Sequence, residues 1–357
     1  MLLSLAQIPA PSNSEDKRAL FCKNWLEEAG ARGVYIDGAM NVIWPVNVSE
    51  DKPVAVFAAH SDVVFPDTEP LPLRLEDGKI LCPGIGDDTA CAAALMTAAR
   101  YIAEKGLSPV DCGLLIVIDA GEEGLGNLKG MRRLFDDYSG RIREFISFDG
   151  QECRCVSRAV GSMRYRICID TEGGHSYGDF GRQNAIACLA SLIDRLYAQS
   201  VPPIGKTTYN VGTVSGGTSV NTIAQHAEML YEFRSDEAAA LSIMQRQLDE
   251  ALEECRDNGL RLSVELVGRR PCSAPVDEAA MGEMISRADE ATRRIYGRAL
   301  SLESGSTDCN IPLSLGIPAL CLGCYRGAGA HTREEYVETD SLLPGLNFVF
   351  DMLLRYF

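Results

Sequence analysis

The stretch Val54-Ala55-Val56-Phe57-Ala58-Ala59-His60-Ser61-Asp62 decides the fold of this chain. Its first six residues are an apolar run of strand length, and a run without alternation is typical of a strand that is buried on both faces. The run ends in a histidine and, two residues later, an aspartate. Such a pair at the end of a buried strand can begin a metal site. We therefore expect the other ligands at the ends of neighbouring strands.

Two further apolar runs, Leu114–Ile118 and Phe145–Phe148, also lead directly into acidic residues. The first precedes residues 119–124 (Asp-Ala-Gly-Glu-Glu-Gly), and the second precedes Asp149. A glycine-rich turn at residues 82–89 enters an alanine-rich segment that predicts a long helix. Strands that alternate with helices predict a mostly parallel α/β sheet, in which ligands bind beyond the carboxyl ends of the strands.

The remaining elements divide the chain into two parts. A capping-box pattern at Ser12-Asn13-Ser14-Glu15 predicts the start of the first long helix. The pattern changes near residue 158, and from there the predicted order is β-α-β-β-α-β, the ferredoxin-like unit. We expect a domain of residues 158–268, inserted into a larger domain formed by residues 1–157 and 269–357, which contains the strand-end motifs.

The composition is that of a globular protein of about two domains, with 357 residues, 46% of them hydrophobic. The formal charge of −16 argues against nucleic acid or an anionic membrane as a partner. No apolar run reaches the roughly 18 residues of a membrane span, and no signal-peptide pattern is present. The odd number of cysteines, 13, predicts a reducing cytoplasm. Cys321-Leu-Gly-Cys324 has CxxC spacing, but without a second pair we expect ordinary buried thiols.

The strand-end motifs supply a set of candidate metal ligands: His60, Asp87, Glu122 or Glu123, Asp149 and His331. Imidazole nitrogen with carboxylate oxygen suits zinc, and also cobalt or manganese. One bridging carboxylate, two histidines and two further carboxylates would hold two metal ions ~3.5–4 Å apart. Asp62 is placed to hold the other ring nitrogen of His60. In the pair Glu122 and Glu123, one carboxylate can ligate while the other accepts a proton from the attacking water.

Each motif alone also has an ordinary structural explanation. A Glu-Glu pair is usually a solvated helix face, Asp87-Asp88 could cap the following helix, and a buried histidine is usually hydrogen-bonded in a core. The combination argues for chemistry, because the chain has only four histidines. Two of them lie in glycine-flanked loops with polar neighbours, and one ends a buried strand.

Four motifs, spread in order over essentially the whole chain, resemble those of the M20 metallopeptidases: His60-Ser-Asp62-Val-Val, Gly84-Ile-Gly-Asp87-Asp88, Glu122-Glu123-Gly-Leu-Gly and Ala330-His331-Thr. This group includes PepT-like tripeptide aminopeptidases, glutamate carboxypeptidase, acetylornithine deacetylase and succinyl-diaminopimelate desuccinylase. The resemblance implies a dizinc-exopeptidase domain with the following roles: His60 and Asp149 on one zinc, Glu123 and His331 on the other, Asp87 as the bridge, Asp62 as the residue that orients His60, and Glu122 as general base and later proton donor to the leaving amine.

The resemblance also implies that the inserted domain is a lid through which two chains form a homodimer. In that family pattern His175, in the segment 173–184, would stabilise the oxyanion in the active site of the partner subunit. Asn221 and Arg234 would hold the carboxylate of the substrate. The alternative for His175 is a histidine without a catalytic role in a glycine-rich turn. The alternative for Arg234 is an ordinary surface arginine. Residues 305–308 resemble a substrate loop of the family, and we expect His226 to be structural.

The resemblance predicts a dizinc hydrolase that cleaves an amide bond in small substrates. Di- or tripeptides are favoured because the terminal ligand Asp149 is an aspartate and the lid motif is PepT-like. The alternative is a deacylase or carboxypeptidase of N-acyl amino acids. A binding protein that has lost activity is disfavoured because every ligand and the base are present. Thr89 departs from the family, in which lysine often follows the Asp-Asp pair, and this puts the transfer of a relative's substrate preference in doubt.

Overall fold

The computed structural model describes the whole chain and divides it into two compact units. The larger unit comprises Met1–Ala159 and Ala274–Phe357, and the inserted unit comprises Val160–Ser273. Up to residue 159 the elements are α1 (Leu2–Ala6), α2 (Asp16–Glu28), β1 (Tyr35–Ile36), β2 (Val42–Val46), β3 (Val54–His60), β4 (Arg74–Glu76), β5 (Lys79–Leu81), α3 (Cys91–Lys105), β6 (Gly113–Asp119), α4 (Lys129–Asp137), β7 (Ile142–Phe148) and β8 (Arg154–Ala159).

Six strands and two helices form the inserted unit, after which the larger unit resumes. The inserted elements are β9 (Gly161–Asp170), β10 (Gly174–His175), α5 (Ala185–Tyr197), β11 (Thr207–Gly216), β12 (Thr222–Ile223), β13 (His226–Ser235), α6 (Ala238–Asp257) and β14 (Arg261–Arg270). The larger unit ends with α7 (Glu278–Tyr296), β15 (Ser301–Gly305), α8 (Asn310–Ser314), β16 (Ala319–Leu322), β17 (Gly327–Ala328), β18 (Tyr336–Glu338) and α9 (Thr339–Leu354).

The larger unit is built on an eight-stranded mixed sheet with the order β1-β2-β6-β3-β7-β16-β8-β15. The four strands β6, β3, β7 and β16 run parallel, so their carboxyl ends meet at one edge. Strands β2 and β8 flank this block in antiparallel orientation. A second sheet, β17-β18-β5-β4, carries the loop that contains His331.

Strand β3 is buried along its full length because both faces of the sheet are covered. Ala55, Phe57 and Ala59 point into a core shared with α2, α3, α7 and α9. Val54, Val56 and Ala58 point into a second core, shared with α4 and α8. The alternation of side chains along a strand explains why one apolar run serves two cores.

The inserted unit contains the antiparallel sheet β11-β13-β9-β14, connected as β-α-β-β-α-β. Ile167, Ile169 and Met229 face α5 and α6 in a common core. Along β13 buried and more exposed residues alternate, as expected of a sheet with helices on one face only. The opposite face of the sheet carries no helix of this unit and is polar.

The predicted fold class, a mostly parallel α/β domain with an inserted ferredoxin-like unit, is confirmed. The role of the inserted unit as a lid and dimerisation domain stays a prediction. Three helices, α1, α4 and α8, were not predicted. The prediction of a capping box at residues 12–15 was wrong. Helix α2 begins at Asp16 without a side-chain cap, and the Ser12 hydroxyl donates to the Asp62 carboxylate.

Candidate metal centre

Three neighbouring parallel strands and two loops bring the predicted ligands together in the larger unit. His60 ends β3, the Glu122–Glu123 pair follows β6, and Asp149 follows β7. Asp87 lies in the turn before α3, and His331 lies in the loop between β17 and β18. The site therefore occupies the carboxyl edge of the sheet, the expected place for a ligand in this architecture.

Asp87 lies between the two histidines. His60 Nε2 is 3.0 Å from Asp87 Oδ1, and His331 Nε2 is 3.1 Å from Asp87 Oδ2. His331 Nε2 is also 3.0 Å from Glu123 Oε1. A single carboxylate thus faces both imidazoles with different oxygens, which is the arrangement needed for a ligand shared by two cations.

The potential ligand atoms fall into two groups that share one residue, with the atoms of each group within 4.8 Å of one another: His60 with Asp87 and Asp149, and Glu123 with His331 and Asp87. Each group offers one nitrogen and two carboxylates. A third group joins His60, Glu122 and Glu123 within the same distance. Glu122 therefore belongs to the same centre but lies outside both sets that share Asp87.

The protonation of the centre fits a site for divalent cations. Burial lowers the pKa of His60, but the Asp62 and Asp87 carboxylates outweigh it and raise that pKa well above its usual value. The Asp87 and Glu123 carboxylates raise the pKa of His331 to about 10. Burial, followed by the charge of Asp87, raises the pKa of Asp149. Protons here neutralise closely packed carboxylates, and nitrogen and oxygen donors of this kind suit Zn²⁺, Co²⁺ or Mn²⁺.

Asp62 contacts His60 mainly through its backbone. His60 Nδ1 is 3.0 Å from the Asp62 carbonyl oxygen and 3.6 Å from the carboxylate. The carboxylate instead accepts hydrogen bonds from the backbone N–H groups of Gly121, Glu122 and Glu123, each at 3.0 Å. The Ser12 hydroxyl donates a fourth hydrogen bond, at 2.6 Å. The side chain of Asp62 thus fixes the backbone that carries the Glu-Glu pair.

Sequence reasoning missed Glu335, which is buried and holds the turn that presents Asp87. Its carboxylate accepts hydrogen bonds from the backbone N–H groups of Gly84 at 2.7 Å, Gly86 at 2.9 Å and Asp87 at 2.8 Å. The only available signal was an acidic residue four positions after His331. Glu335 therefore positions the shared ligand without contacting either histidine.

Arg18 was also missed, and it explains the threonine that departs from the family pattern. The guanidinium is fully buried and donates to the carbonyl oxygen of Ser61 at 2.8 Å and to the Thr89 hydroxyl at 3.1 Å. The Thr89 hydroxyl in turn donates to the carbonyl oxygen of Gly84. Thr89 therefore links α2 to the turn that carries Asp87.

A buried pair of carboxyl groups, Asp119 and Asp308, lies close to the centre. Burial raises the pKa of Asp119 to about 7, and it also raises the pKa of Asp308, with the charge of Asp119 as the next cause. Asp308 is 1% exposed. Its carboxyl group is buried in the larger unit, and the interpretation of residues 305–308 as a substrate loop stays a prediction.

In the inserted unit the structure brings His175 and Asn221 into neighbouring segments. His175 pairs with Thr222 across two short strands, and Ser176 N–H donates to the backbone oxygen of Asn221 at 3.0 Å. The His175 Nδ1 atom accepts from the backbone N–H of Tyr177 at 3.2 Å, which leaves Nε2 as the hydrogen-bond donor.

Arg234 lies on the polar face of the inserted sheet. Its guanidinium donates two hydrogen bonds to Glu232, at 2.9 and 3.0 Å. A substrate carboxylate would therefore have to share Arg234 with Glu232.

The sequence profile of Peptidase family M20/M25/M40 matches residues 56–355. The chain belongs to this family. The match covers the larger unit from residue 56 to residue 355 and the whole inserted unit. The chain is therefore an M20 hydrolase, and enzymes of this family are metal-dependent.

Two relatives match the chain over more than four fifths of its length at low identity. A succinyl-diaminopimelate desuccinylase from Alkalilimnicola ehrlichii is 24% identical over 337 residues, which cover 89% of this chain and 87% of the relative. Protein YqjE of Bacillus subtilis is 25% identical and covers 87% of this chain and 83% of its own length. These identities establish common descent without fixing the substrate.

Solved M20 structures share the fold over nearly the whole chain. A tripeptidase from Staphylococcus aureus superposes with a TM-score of 0.79 at 23% identity, covering 99% of this chain and 95% of its own. The dipeptidase Dug1p from Saccharomyces cerevisiae gives a TM-score of 0.76 at 16% identity, covering 99% and 94%.

Two further findings concern the M20 chain as a whole. No helix is both long and apolar enough to cross a membrane. All 13 cysteines are free, and Cys321 and Cys324 are buried.

Proposed function

We propose that this M20 hydrolase binds two divalent cations, zinc or alternatively cobalt or manganese, and cleaves the amide bond of di- or tripeptides. The observation that carries the proposal is the pair of three-residue groups that share Asp87. His60 and Asp149 would hold one cation, and Glu123 and His331 the other. Cations bound there would supply Lewis-acid activation of a water molecule and of the substrate carbonyl.

Glu122 is the residue proposed to move the proton. It is 6% exposed and lies within 4.8 Å of potential ligand atoms of His60 and Glu123, so it is close to the position of an attacking water. Its carboxylate would accept the proton of that water and return it to the leaving amine. The Asp62 carboxylate supports this step because it fixes the backbone N–H of Glu122.

Residues of the inserted unit are proposed to bind the substrate. The Nε2–H of His175 is suited to stabilise a developing oxyanion, and the guanidinium of Arg234 is suited to a carboxylate. Asn221 would contribute an amide to the same carboxylate. We further propose that the inserted unit forms a homodimer, so that His175 acts in the partner subunit, and that the enzyme works in the cytoplasm, as the odd number of free thiols suggests.

A substrate panel tests the proposed reaction. The purified enzyme, loaded with zinc, cobalt or manganese, would be assayed with Ala-Ala-Ala, with N-acetyl amino acids and with N-succinyl-diaminopimelate. The proposal expects release of a free amino acid from the peptide and no turnover of the acylated amino acids. The opposite result would establish the alternative, a deacylase, which the desuccinylase relatives favour.

A pair of variants tests the assignment of the base. Glu122→Gln keeps the shape of the side chain but cannot accept the proton, and its kcat should fall by roughly 10²–10⁴-fold. Glu28→Gln, an exposed glutamate at the end of α2, serves as the matched control and should keep wild-type kcat. Full activity of metal-loaded Glu122→Gln would contradict the role of Glu122.

A further inference from the structure

In the inserted unit, the face of the sheet that carries no helix holds a group of metal-ligating side chains of three chemical types. A potential ligand atom of Cys168 lies within 4.8 Å of one from His226 and one from Glu228, and these three atoms are all within that distance of one another. Cys168 lies on β9, and the other two residues lie on the neighbouring strand β13. Since His226 was expected to be structural, its place in this group is a new observation.

The strand register explains why these side chains converge. Glu228 is directly opposite Cys168, and His226 is directly opposite Asp170. Because residues two apart point to the same face of a strand, all four side chains project from the polar face. Their neighbours on each strand, including Ile167, Ile169 and Ala227, point into the helix-covered core.

Each donor is placed in a manner that suits ligation. His226 Nδ1 is 2.8 Å from Asp170 Oδ1, a contact that orients the ring and leaves Nε2 as the ligand nitrogen. Glu228 accepts from the Ser215 hydroxyl with Oε1, at 3.2 Å, while its Oε2 lies 3.9 Å from Cys168 Sγ. Ligand atoms of a tetrahedral zinc ion are roughly 3.5 Å apart, so small rotations of these partly exposed side chains would complete the geometry.

No cation of the protein competes for Glu228, which takes part in no ion pair. Arg166, on the same face, is paired with Glu265 at 2.9 Å. Arg261 is opposite Asp170 on β14 and not opposite the ligating residues. His226 also lines a cleft of about 710 Å³, which gives solvent and ions access to its ring.

We propose that Cys168, His226 and Glu228 form a third metal site, with Asp170 orienting the histidine, that binds zinc or another thiophilic divalent cation. Three protein ligands leave one coordination position for water or a small ligand. The thiolate distinguishes this site from the catalytic centre, where every proposed ligand is nitrogen or oxygen. The inference concerns a different group of residues and does not depend on the proposed substrate.

Titration of the metal-free full-length protein with Co²⁺ tests the site directly. Thiolate bound to cobalt gives a sulfur-to-metal charge-transfer absorption in the near ultraviolet, and carboxylate and imidazole ligands do not. We expect this absorption to appear in the wild type and to saturate by three equivalents of Co²⁺ per chain, because the proposed catalytic centre takes up two of them. It should be absent in Cys168→Ser and lost or strongly weakened in His226→Gln.

Cys188→Ser is the matched control, because Cys188 is a partly exposed cysteine of the same unit outside the group. This variant should keep the full absorption. Bound zinc should fall by one equivalent in Cys168→Ser, with kcat on the best peptide substrate unchanged. Absence of the charge-transfer band in the wild type, or its persistence in Cys168→Ser, would overturn the proposal even if the catalytic assignment holds.

Discussion

Replacing Asp62 with asparagine separates two possible roles of this residue. The Asp62 carboxylate accepts three backbone hydrogen bonds at 3.0 Å, from Gly121, Glu122 and Glu123. It also lies 3.6 Å from the His60 ring. If fixing the backbone is its main task, Asp62→Asn should destabilise even the metal-free protein. If orienting His60 is the main task, only metal affinity should fall.

The hydrogen bonds set the expected size of the effect. Asparagine has one accepting oxygen, so its amide N–H₂ must face at least one backbone N–H that the carboxylate now satisfies. A buried donor left unsatisfied costs ~1–3 kcal/mol, and the loss of charge from the remaining two bonds costs ~1 kcal/mol each. We expect a loss of about 4 kcal/mol in the free energy of unfolding. For a unit of this size that lowers Tm by roughly 10 °C.

Thermal unfolding and kinetics of the metal-free and metal-loaded variant provide the test. A shift of the backbone that carries Glu122 by about 1 Å should also lower kcat by ~100-fold. Ser12→Ala is the matched control, since it removes the fourth hydrogen bond to Asp62 but leaves all backbone bonds intact, and it should cost only ~1 kcal/mol. A metal-free Asp62→Asn protein that melts at the wild-type temperature would refute the reasoning.

Three further predictions concern the surroundings of the centre. Glu335→Gln should weaken metal binding by ~10–100-fold in competition with a chelator, because the amide cannot accept all three N–H bonds of the Asp87 turn, whereas exposed Glu334→Gln should bind normally. The pKa of His331 is about 10 in the metal-free protein, so a metal ion must displace its proton, and the apparent metal affinity should rise with pH from about 6.5 to 10, by up to ~tenfold per pH unit for each proton released. Calorimetry of metal binding in buffers of different ionisation enthalpy would detect these protons. A metal affinity that does not change with pH would contradict the assignment of His331 as a ligand. Burial raises the pKa of Asp119 from 3.8 to about 7, so the protonated carboxyl group contributes to the free energy of unfolding below pH 3.8, and this contribution is lost as pH rises through 7. The Tm of metal-free Asp119→Asn should therefore increase relative to the wild-type Tm between pH 5 and 8. A Tm difference that stays constant over this range would show that Asp119 does not titrate there.

The sequence was most informative where one segment carries its own signal. The apolar run of β3 predicted both a buried strand and the position of His60, because burial on two faces requires uninterrupted apolar residues. The acidic motifs after β6 and β7 also follow apolar runs, and they could be placed at the same sheet edge because the carboxyl ends of parallel strands meet there. The order of elements from residue 158 onward was sufficient to predict the ferredoxin-like connection.

The parts that were missed depend on partners distant in sequence. Glu335 accepts its hydrogen bonds from residues about 250 positions earlier, and a lone acidic residue in a loop gives no hint of this. Ser12 matched a local capping pattern, but α2 begins only at Asp16, and the Ser12 hydroxyl donates to the buried carboxylate of Asp62, 50 positions later. Helix α4 is short, at nine residues, and has no apolar run to mark it.

Restoration of activity by metal tests the central claim most directly. The metal-free enzyme would be titrated with Zn²⁺ while hydrolysis of Ala-Ala-Ala is followed, with Cys168→Ser used so that only the catalytic centre can bind. The account predicts no turnover without metal and full turnover at two equivalents of zinc per chain. Peptide hydrolysis that is unchanged by complete removal of metal would contradict it.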